Sequence, residues 1–158
     1  MSLPLDPAAF VAAAERGVNE RDLDATVGVY APDAVLTSIT DGAHERAAGT
    51  DALRRTWAGY LDGMEARAFW LRKTLSAASG DTIANEWVGG FGVESGGLLP
   101  AQGAERWTFD ADGRVVDHVM WTFFAVRPST SLVARARIGL ATPRTAVAFL
   151  RAQRRHRS

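Results

Sequence analysis

The chain has 158 residues, 47% of them hydrophobic, and a formal net charge of zero. This length and hydrophobic content allow one domain with a core but are too small for two domains of ordinary size. It contains no cysteine, which excludes a disulfide framework and a thiol nucleophile, and its three histidines are too far apart for metal-ligand spacing. No basic segment followed by an apolar run opens the chain, and no stretch reaches the ~20 apolar residues of a membrane span, so we expect a cytoplasmic protein.

The first 66 residues predict three helices and one strand. The first helix follows Asp6-Pro7 and reaches about residue 18, and the second starts near Asp22 and ends before Ala31-Pro32. The β-branched run 35–40, closed by Asp41-Gly42, predicts a short strand. The third helix starts around residues 49–51, and its apolar residues at helical spacing are Leu53, Trp57, Tyr60, Leu61 and Met64.

The sequence changes character after the third helix. Segments 68–76, 82–93, 101–110 and 114–126 are extended candidates separated by turn signals, which predicts an antiparallel meander. Helices followed by a bent sheet indicate an α+β domain. The loops at 43–48 and 94–100 are expected to form the rim of any pocket.

The last hairpin contains a Glu–His pair. The turn signal Asp110-Ala111-Asp112-Gly113 places Trp107 opposite Val116 and Glu105 opposite His118. Residues directly opposite each other share a face with Cβ atoms about 5 Å apart, so the carboxylate could bond the imidazole and the pair could move protons. An ordinary cross-strand ion pair on a solvated face is the alternative.

The order of elements, the segment YAPDAVL, the helix beginning GTDALRRTW and the hairpin WTFDADGRVVDH together resemble the nuclear transport factor 2-like superfamily. Within it the chain is similar to SnoaL-like and ketosteroid-isomerase-like proteins over residues 8 to about 125. The resemblance implies a cone-shaped curved antiparallel sheet wrapped around a long helix, three N-terminal helices and an open-ended pocket. It also implies that Glu105 and His118 both line the pocket. Trp121 and Phe123 then face outward, which favours a homodimer through the outer sheet face.

The best-known activities of the superfamily depend on residues that this chain mostly lacks. The tyrosine donor and the general-base aspartate of the steroid isomerases fall at Ala14 and Ser38, and their oxyanion-supporting aspartic acid falls at Glu105. The triad of limonene epoxide hydrolases falls at Trp87, Gly89 and Met120 and is absent. His118, in the context VVDHV, most resembles the acid–base residues of the SnoaL-type polyketide cyclases.

These observations favour a cofactor-independent acid–base enzyme of cyclase, isomerase or dehydratase type. His118 would carry the proton with a pKa near neutrality, and Glu105 would orient it. The ligand would be a hydrophobic, carbonyl-containing small molecule such as a polyketide-like metabolite. The candidate substrate-binding residues are Tyr30, Ser38, Trp57, Tyr60, Asn85, Trp87, Trp107 and Met120. The alternative is a non-catalytic domain of the same fold that binds a small molecule or dimerises.

The C-terminal extension differs from the rest of the chain in charge. Residues 127–158 contain eight arginines and no acidic residue, whereas residues 1–126 contain ten basic and eighteen acidic ones. We therefore divide the chain into a cone domain at 1–126 and a basic extension at 127–158 with a helix at 143–155. The extension is expected to dock on the acidic body or a partner subunit. A nucleic-acid partner is not expected, because only Phe149 provides an aromatic side chain among the arginines.

Overall fold

The computed structural model describes residues 6–92 and 98–124. The helices are α1 (Pro7–Asn19), α2 (Leu23–Val27) and α3 (Thr50–Ala66). The strands are β1 (Tyr30–Thr40), β2 (Ala43–Ala48), β3 (Phe69–Ser79), β4 (Thr82–Gly92), β5 (Leu98–Phe109) and β6 (Val115–Phe124). The predicted extension at 127–158, its helix and the boundary before it lie outside the described residues.

Aspartates cap the first two helices, which begin where the sequence predicted. The Asp6 carboxylate accepts hydrogen bonds from the backbone N–H groups of Ala8 and Ala9, and Asp22 accepts one from Ala25. Helix α2 is shorter than predicted because Tyr30 already belongs to β1. Strand β1 accommodates Pro32 in an irregular stretch between Tyr30 and Val35, where the pairing with β6 shifts and no ladder N–H is needed from a proline.

The six strands form one curved sheet in the order β2-β1-β6-β5-β4-β3, which confirms the predicted α+β architecture. Strands β3 to β6 form the predicted antiparallel meander. The sheet as a whole is mixed rather than antiparallel, because β1 pairs with β6 in parallel.

Strand β2 replaces the loop predicted at 43–48. It pairs with β1 through a two-residue turn at Asp41 and Gly42, whose φ values of 48° and 88° match the turn that joins tight hairpins. Residues 98–100 of the second predicted loop belong to β5, and residues 93–97 lie outside the described part of the chain.

The register of the β5–β6 hairpin differs from the prediction. His118 lies opposite Trp107, and Glu105 lies opposite Met120. Two extra residues cause the difference: Arg114 lengthens the turn, so that Phe109 pairs with Val115, and Val116 is then unpaired in a bulge. A shift of one residue would have reversed the face of every side chain, but a shift of two restores it.

A continuous apolar core packs between the helices and the inner face of the sheet. Phe10 of α1 packs edge-on against Trp107 and Phe109, with ring centroids 5.2 and 5.0 Å apart. Leu53 and Trp57 of α3 are buried against the inner face of the sheet. The large side chains thus close one end of the sheet and leave space towards the other.

Candidate functional site

A cavity of about 310 Å³ lies between α3 and the inner face of the sheet, at the low end of the range for small-molecule sites. Its walls are largely apolar, and its polar wall residues are Ser38, Thr40, Tyr60, Glu105 and Thr122. Its remaining wall residues are Val18, Trp57, Gly59, Gly63, Met64, Phe69, Leu71, Trp87, Phe91 and Met120.

The cavity contains five of the eight predicted substrate-binding residues. These are Ser38, Trp57, Tyr60, Trp87 and Met120. The other three are buried behind the wall: Tyr30, Asn85 and Trp107. Of the predicted catalytic pair, Glu105 lines the cavity and His118 does not.

The sheet register explains why the two catalytic candidates differ in access. Ser38, Met120 and Glu105 are aligned across β1, β6 and β5 and form one row of the cavity wall. His118 and Trp107 form the next row towards the closed end, two residues or about 7 Å along the strands. The predicted direct pairing of Glu105 with His118 is therefore wrong, although both side chains point inward.

The Glu105 carboxylate is held through one of its two oxygens. Its Oε2 atom accepts hydrogen bonds from Lys73 Nζ at 2.5 Å and from Asn85 Nδ2 at 3.0 Å. The Asn85 Oδ1 atom accepts a bond from Trp107 Nε1 at 2.8 Å, which fixes the direction of the amide. Within residues 6–92 and 98–124, Oε1 of Glu105 has no hydrogen-bond partner, and it belongs to a residue of the cavity wall.

Lys73 was not identified from the sequence as a functional residue. It is the only lysine in the chain, and it shares the inward phase of β3 with Leu71. A charged residue in the apolar phase of a strand was the available signal. Its partner Glu105 lies 32 residues away on β5, a contact that no local pattern could predict.

Charges around Glu105 favour its ionised form. Burial by itself raises the pKa of Glu105, but the nearby Lys73 ammonium and the hydrogen bonds from Lys73 and Asn85 outweigh it and lower the pKa below its usual range. Glu105 is therefore a carboxylate at neutral pH.

His118 is fully buried and is bound to aromatic residues rather than to Glu105. Its ring stacks on Trp107 with centroids 3.5 Å apart, and its Nδ1 atom lies 2.7 Å from the Tyr30 hydroxyl. Because Trp57 Nε1 donates to the Tyr30 oxygen at 3.2 Å, we assign the Tyr30 proton to His118 Nδ1 and the imidazole proton to Nε2. That Nε2 atom has no partner among the described residues.

The pKa of His118 is lowered to about 3, chiefly because burial penalises the imidazolium, and the Glu105 carboxylate only partly opposes this effect. His118 is therefore neutral at pH 7. The expectation that its pKa stays near neutrality is wrong.

Two tyrosines remain protonated hydroxyl donors. Burial raises the pKa of Tyr30 well above its usual value and raises that of Tyr60 to about 12. The Tyr60 side chain lines the cavity, and its hydroxyl donates to Glu45 Oε2 at 2.7 Å. Trp87 also lines the cavity, and its buried Nε1 atom has no partner within the described part of the chain.

Residues 10–118 match the family model described as the SnoaL-like domain, and this match covers well over half of the chain. The chain belongs to the SnoaL-like domain family. The resemblance seen in the sequence is thereby confirmed. No curated protein sequence matches the chain.

Several solved structures share the fold of this SnoaL-like domain. A Mycobacterium tuberculosis protein in complex with estradiol-17β-hemisuccinate is 18% identical, with a TM-score of 0.56 over 72% of this chain and 92% of that one. A putative polyketide cyclase from Sinorhizobium meliloti is 22% identical, with a TM-score of 0.52 over 71% and 93%. SalBIII, an epoxide hydrolase/cyclase-like enzyme of pyran ring formation in salinomycin, is 20% identical, with a TM-score of 0.57 over 76% and 91%. At these identities the likeness establishes the shared fold.

Over residues 6–92 and 98–124, no group of three or more histidine, aspartate or glutamate side chains is placed to hold a metal ion. In the same residues, no helix has both the length and the apolar character needed to cross a membrane.

Proposed function

We propose that this SnoaL-like domain is a cofactor-independent acid–base enzyme of cyclase, isomerase or dehydratase type. Its substrate is a hydrophobic, carbonyl-containing small molecule such as a polyketide-like metabolite. The observation that carries the proposal is the ionised carboxylate of the cavity-wall residue Glu105, whose Oε1 atom has no hydrogen-bond partner among residues 6–92 and 98–124.

Glu105, rather than His118, is the general base in this proposal. Oε1 takes a proton from the carbon next to the substrate carbonyl. The electron pair of the broken C–H bond forms a C=C bond to the carbonyl carbon, and the π pair of the carbonyl moves to its oxygen. A carboxylate performs this step well when the enolate oxygen receives hydrogen bonds in a water-poor cavity. Ser38 and Thr122 are the wall hydroxyls available as donors, because the Tyr60 hydroxyl donates its one proton to Glu45 Oε2.

Return of the proton from Glu105 decides the type of reaction. Delivery to a different carbon isomerises a double bond. Delivery to the alkoxide that forms when the enolate attacks a second carbonyl completes a ring closure, and delivery to a neighbouring hydroxyl lets it leave as water. None of the three needs a cofactor. His118 contributes by filling the closed end between Trp107 and Trp57, where it holds the Tyr30 hydroxyl.

The solved relatives support a small-molecule substrate. One was solved with a steroid derivative, and another is named as a cyclase-like enzyme of pyran ring formation. The aromatic walls at Trp57 and Trp87 suit a flat, largely apolar molecule in the same way.

Deuterium exchange tests this proposal without knowledge of the natural substrate. The unsubstituted protein is expected to speed incorporation of deuterium from D₂O next to the carbonyl of 2-tetralone, measured by proton NMR. Glu105→Gln keeps the shape of the side chain and removes the base, so the rate should fall by about 10²–10⁴-fold.

Glu45→Gln is the matched control, because Glu45 bonds Tyr60 but is not a wall residue. It should exchange at nearly the unsubstituted rate. Equal rates for the Glu105→Gln and unsubstituted proteins would contradict the proposal.

A non-catalytic binding domain is the second candidate. It is favoured by the Lys73–Glu105 ion pair, which lowers the pKa of the carboxylate and so weakens it as a base. In that case binding of 2-tetralone near Trp57 and Trp87 should change the tryptophan fluorescence by the same amount in the unsubstituted and Glu105→Gln proteins. Neither protein should catalyse exchange.

The proposal includes a homodimer formed through the outer face of the sheet. Trp70, Val88 and Phe123 are exposed on that face, with relative exposures of 44%, 57% and 48%. Large apolar side chains in water favour a covered surface. Sedimentation velocity that finds only monomer at high protein concentration would contradict this part.

A further inference from the structure

We propose that Lys73 is a positioning residue that keeps Glu105 ionised and leaves Oε1 as the one carboxylate oxygen available to a ligand. The inference rests on the proposed role of Glu105 and names the residue on which that role depends. Lys73 is on β3 and Glu105 on β5, with Asn85 of β4 between them.

The ion pair is enclosed by protein on all sides but the cavity. The side chains of Lys73 and Glu105 are 1% and 2% exposed, and Lys73 is not a wall residue of the cavity. Its Nζ atom lies 2.5 Å from Glu105 Oε2 and 5.3 Å from the centroid of the Trp107 ring. Lys73 therefore acts on a ligand only through Glu105.

Both donors bind the same oxygen. Lys73 Nζ and Asn85 Nδ2 converge on Oε2, and the Asn85 amide cannot reverse without losing its bond from Trp107 Nε1. Two bonds to Oε2 fix the rotation of the carboxylate and leave Oε1 without a hydrogen-bond partner among the described residues. A side chain that is locked by its neighbours in this way is the arrangement that precise proton transfer requires.

Lys73 is also the only cation among the described groups around Glu105. His118 on β6 and Tyr30 on β1 are neutral at pH 7. Tyr60 of α3 is neutral as well, and Glu15 of α1, whose Oε2 accepts the backbone N–H of Lys73 at 2.6 Å, adds an acidic group. Without the ammonium, burial would favour the protonated acid, which cannot accept a proton from a ligand.

Carbon NMR of protein containing carboxyl-¹³C-labelled glutamate tests the inference directly. The Glu105 signal is assigned by its absence in Glu105→Gln. Its titration midpoint is expected to rise by about 2 pH units or more in Lys73→Met, which keeps the length of the side chain and removes the charge. An unchanged midpoint in Lys73→Met would overturn the inference.

Lysine labelling gives a second readout that does not depend on the folding of a Lys73 variant. Because the chain has one lysine, ¹⁵N-lysine protein gives a single Nζ signal. That signal should move in Glu105→Gln and stay in place in Glu45→Gln. If it stays in place in both, Lys73 is not bound to Glu105 and the inference fails.

The pH dependence of exchange separates positioning from a purely structural role. In Lys73→Met, the acidic limit of exchange activity should move upward with the NMR midpoint, whereas simple loss of stability would lower the rate at every pH. Absence of exchange in all proteins together with a raised midpoint would reject the proposed function alone. Normal exchange with an unmoved midpoint would reject only the role of Lys73.

Discussion

Lys73→Met is expected to lower the free energy of unfolding by about 3–5 kcal/mol at pH 7, and adding Glu105→Gln is expected to recover most of that loss. The single substitution leaves a buried carboxylate without its cation, whereas the double substitution removes both charges. Urea denaturation of the two single variants, the double variant and the unsubstituted protein measures the coupling free energy.

The sign of the pH dependence should differ between these proteins. The pKa of Glu105 is lowered on folding, so the unsubstituted protein gains stability from it above the pKa of the unfolded chain and loses that gain as pH falls. In Lys73→Met the folded-state pKa is raised, so the variant gains stability as pH falls. The cost of the substitution should therefore be smaller at pH 5 than at pH 7.

The exposed pair formed by Arg106 and Asp117 supplies the control. Its side chains are 49% and 37% exposed, and Arg106→Met should change stability by less than about 1 kcal/mol. If Lys73→Met costs no more than Arg106→Met, or costs the same at both pH values, the buried ion pair does not have the energetic role described above.

Trp57→Ala is expected to lower the free energy of unfolding by about 3–5 kcal/mol, the usual cost of truncating a buried tryptophan. Trp57 is 2% exposed, packs edge-on against Tyr60 and donates to the Tyr30 hydroxyl. The substitution therefore removes packing on the cavity wall and the hydrogen bond that orients Tyr30.

Trp70→Ala, measured at protein concentrations low enough for the monomer, is the matched control, since it makes the same change at a side chain that is 44% exposed on the outer face. It should cost less than about 1 kcal/mol. Equal costs for the two substitutions would show that Trp57 is not part of a packed core.

The fold could be predicted largely from local signals. Asp6 and Asp22 cap helices as their positions suggested, and the turn residues between the long strands separate the meander correctly. Strand β2 was missed because its sequence, AHERAA, contains no β-branched residue and five of its six side chains are exposed. Pairing with β1, rather than its own composition, makes it a strand.

The face of the sheet on which the candidate residues lie was predicted, but their position along the strands relative to the cavity was not. Alternation along the strands placed Glu105 and His118 on one face of the hairpin, and the resemblance to the superfamily implied that this face points inward; both side chains are buried. Their alignment depends on two extra residues at Arg114 and Val116, and turn length and bulges are decided by small energy differences that the sequence does not display.

Long-range contacts explain why the hydrogen-bond partners of His118 and Glu105 were not predicted. The partner of His118 is Tyr30, 88 residues away, and the partner of Glu105 is Lys73, 32 residues away. Neither partner follows from the hairpin that contains both catalytic candidates. The sequence could therefore predict which groups are buried together but not which of them reaches the cavity.

A side-by-side comparison of Glu105→Gln and His118→Phe in the 2-tetralone exchange assay tests most directly which group moves the proton. Phenylalanine keeps a flat ring between Trp107 and Trp57 and removes the imidazole. We expect His118→Phe to retain exchange within about tenfold of the unsubstituted rate per folded molecule, and Glu105→Gln to lose about 10²–10⁴-fold. Loss of exchange in His118→Phe with retention in Glu105→Gln would contradict the assignment of Glu105 as the base.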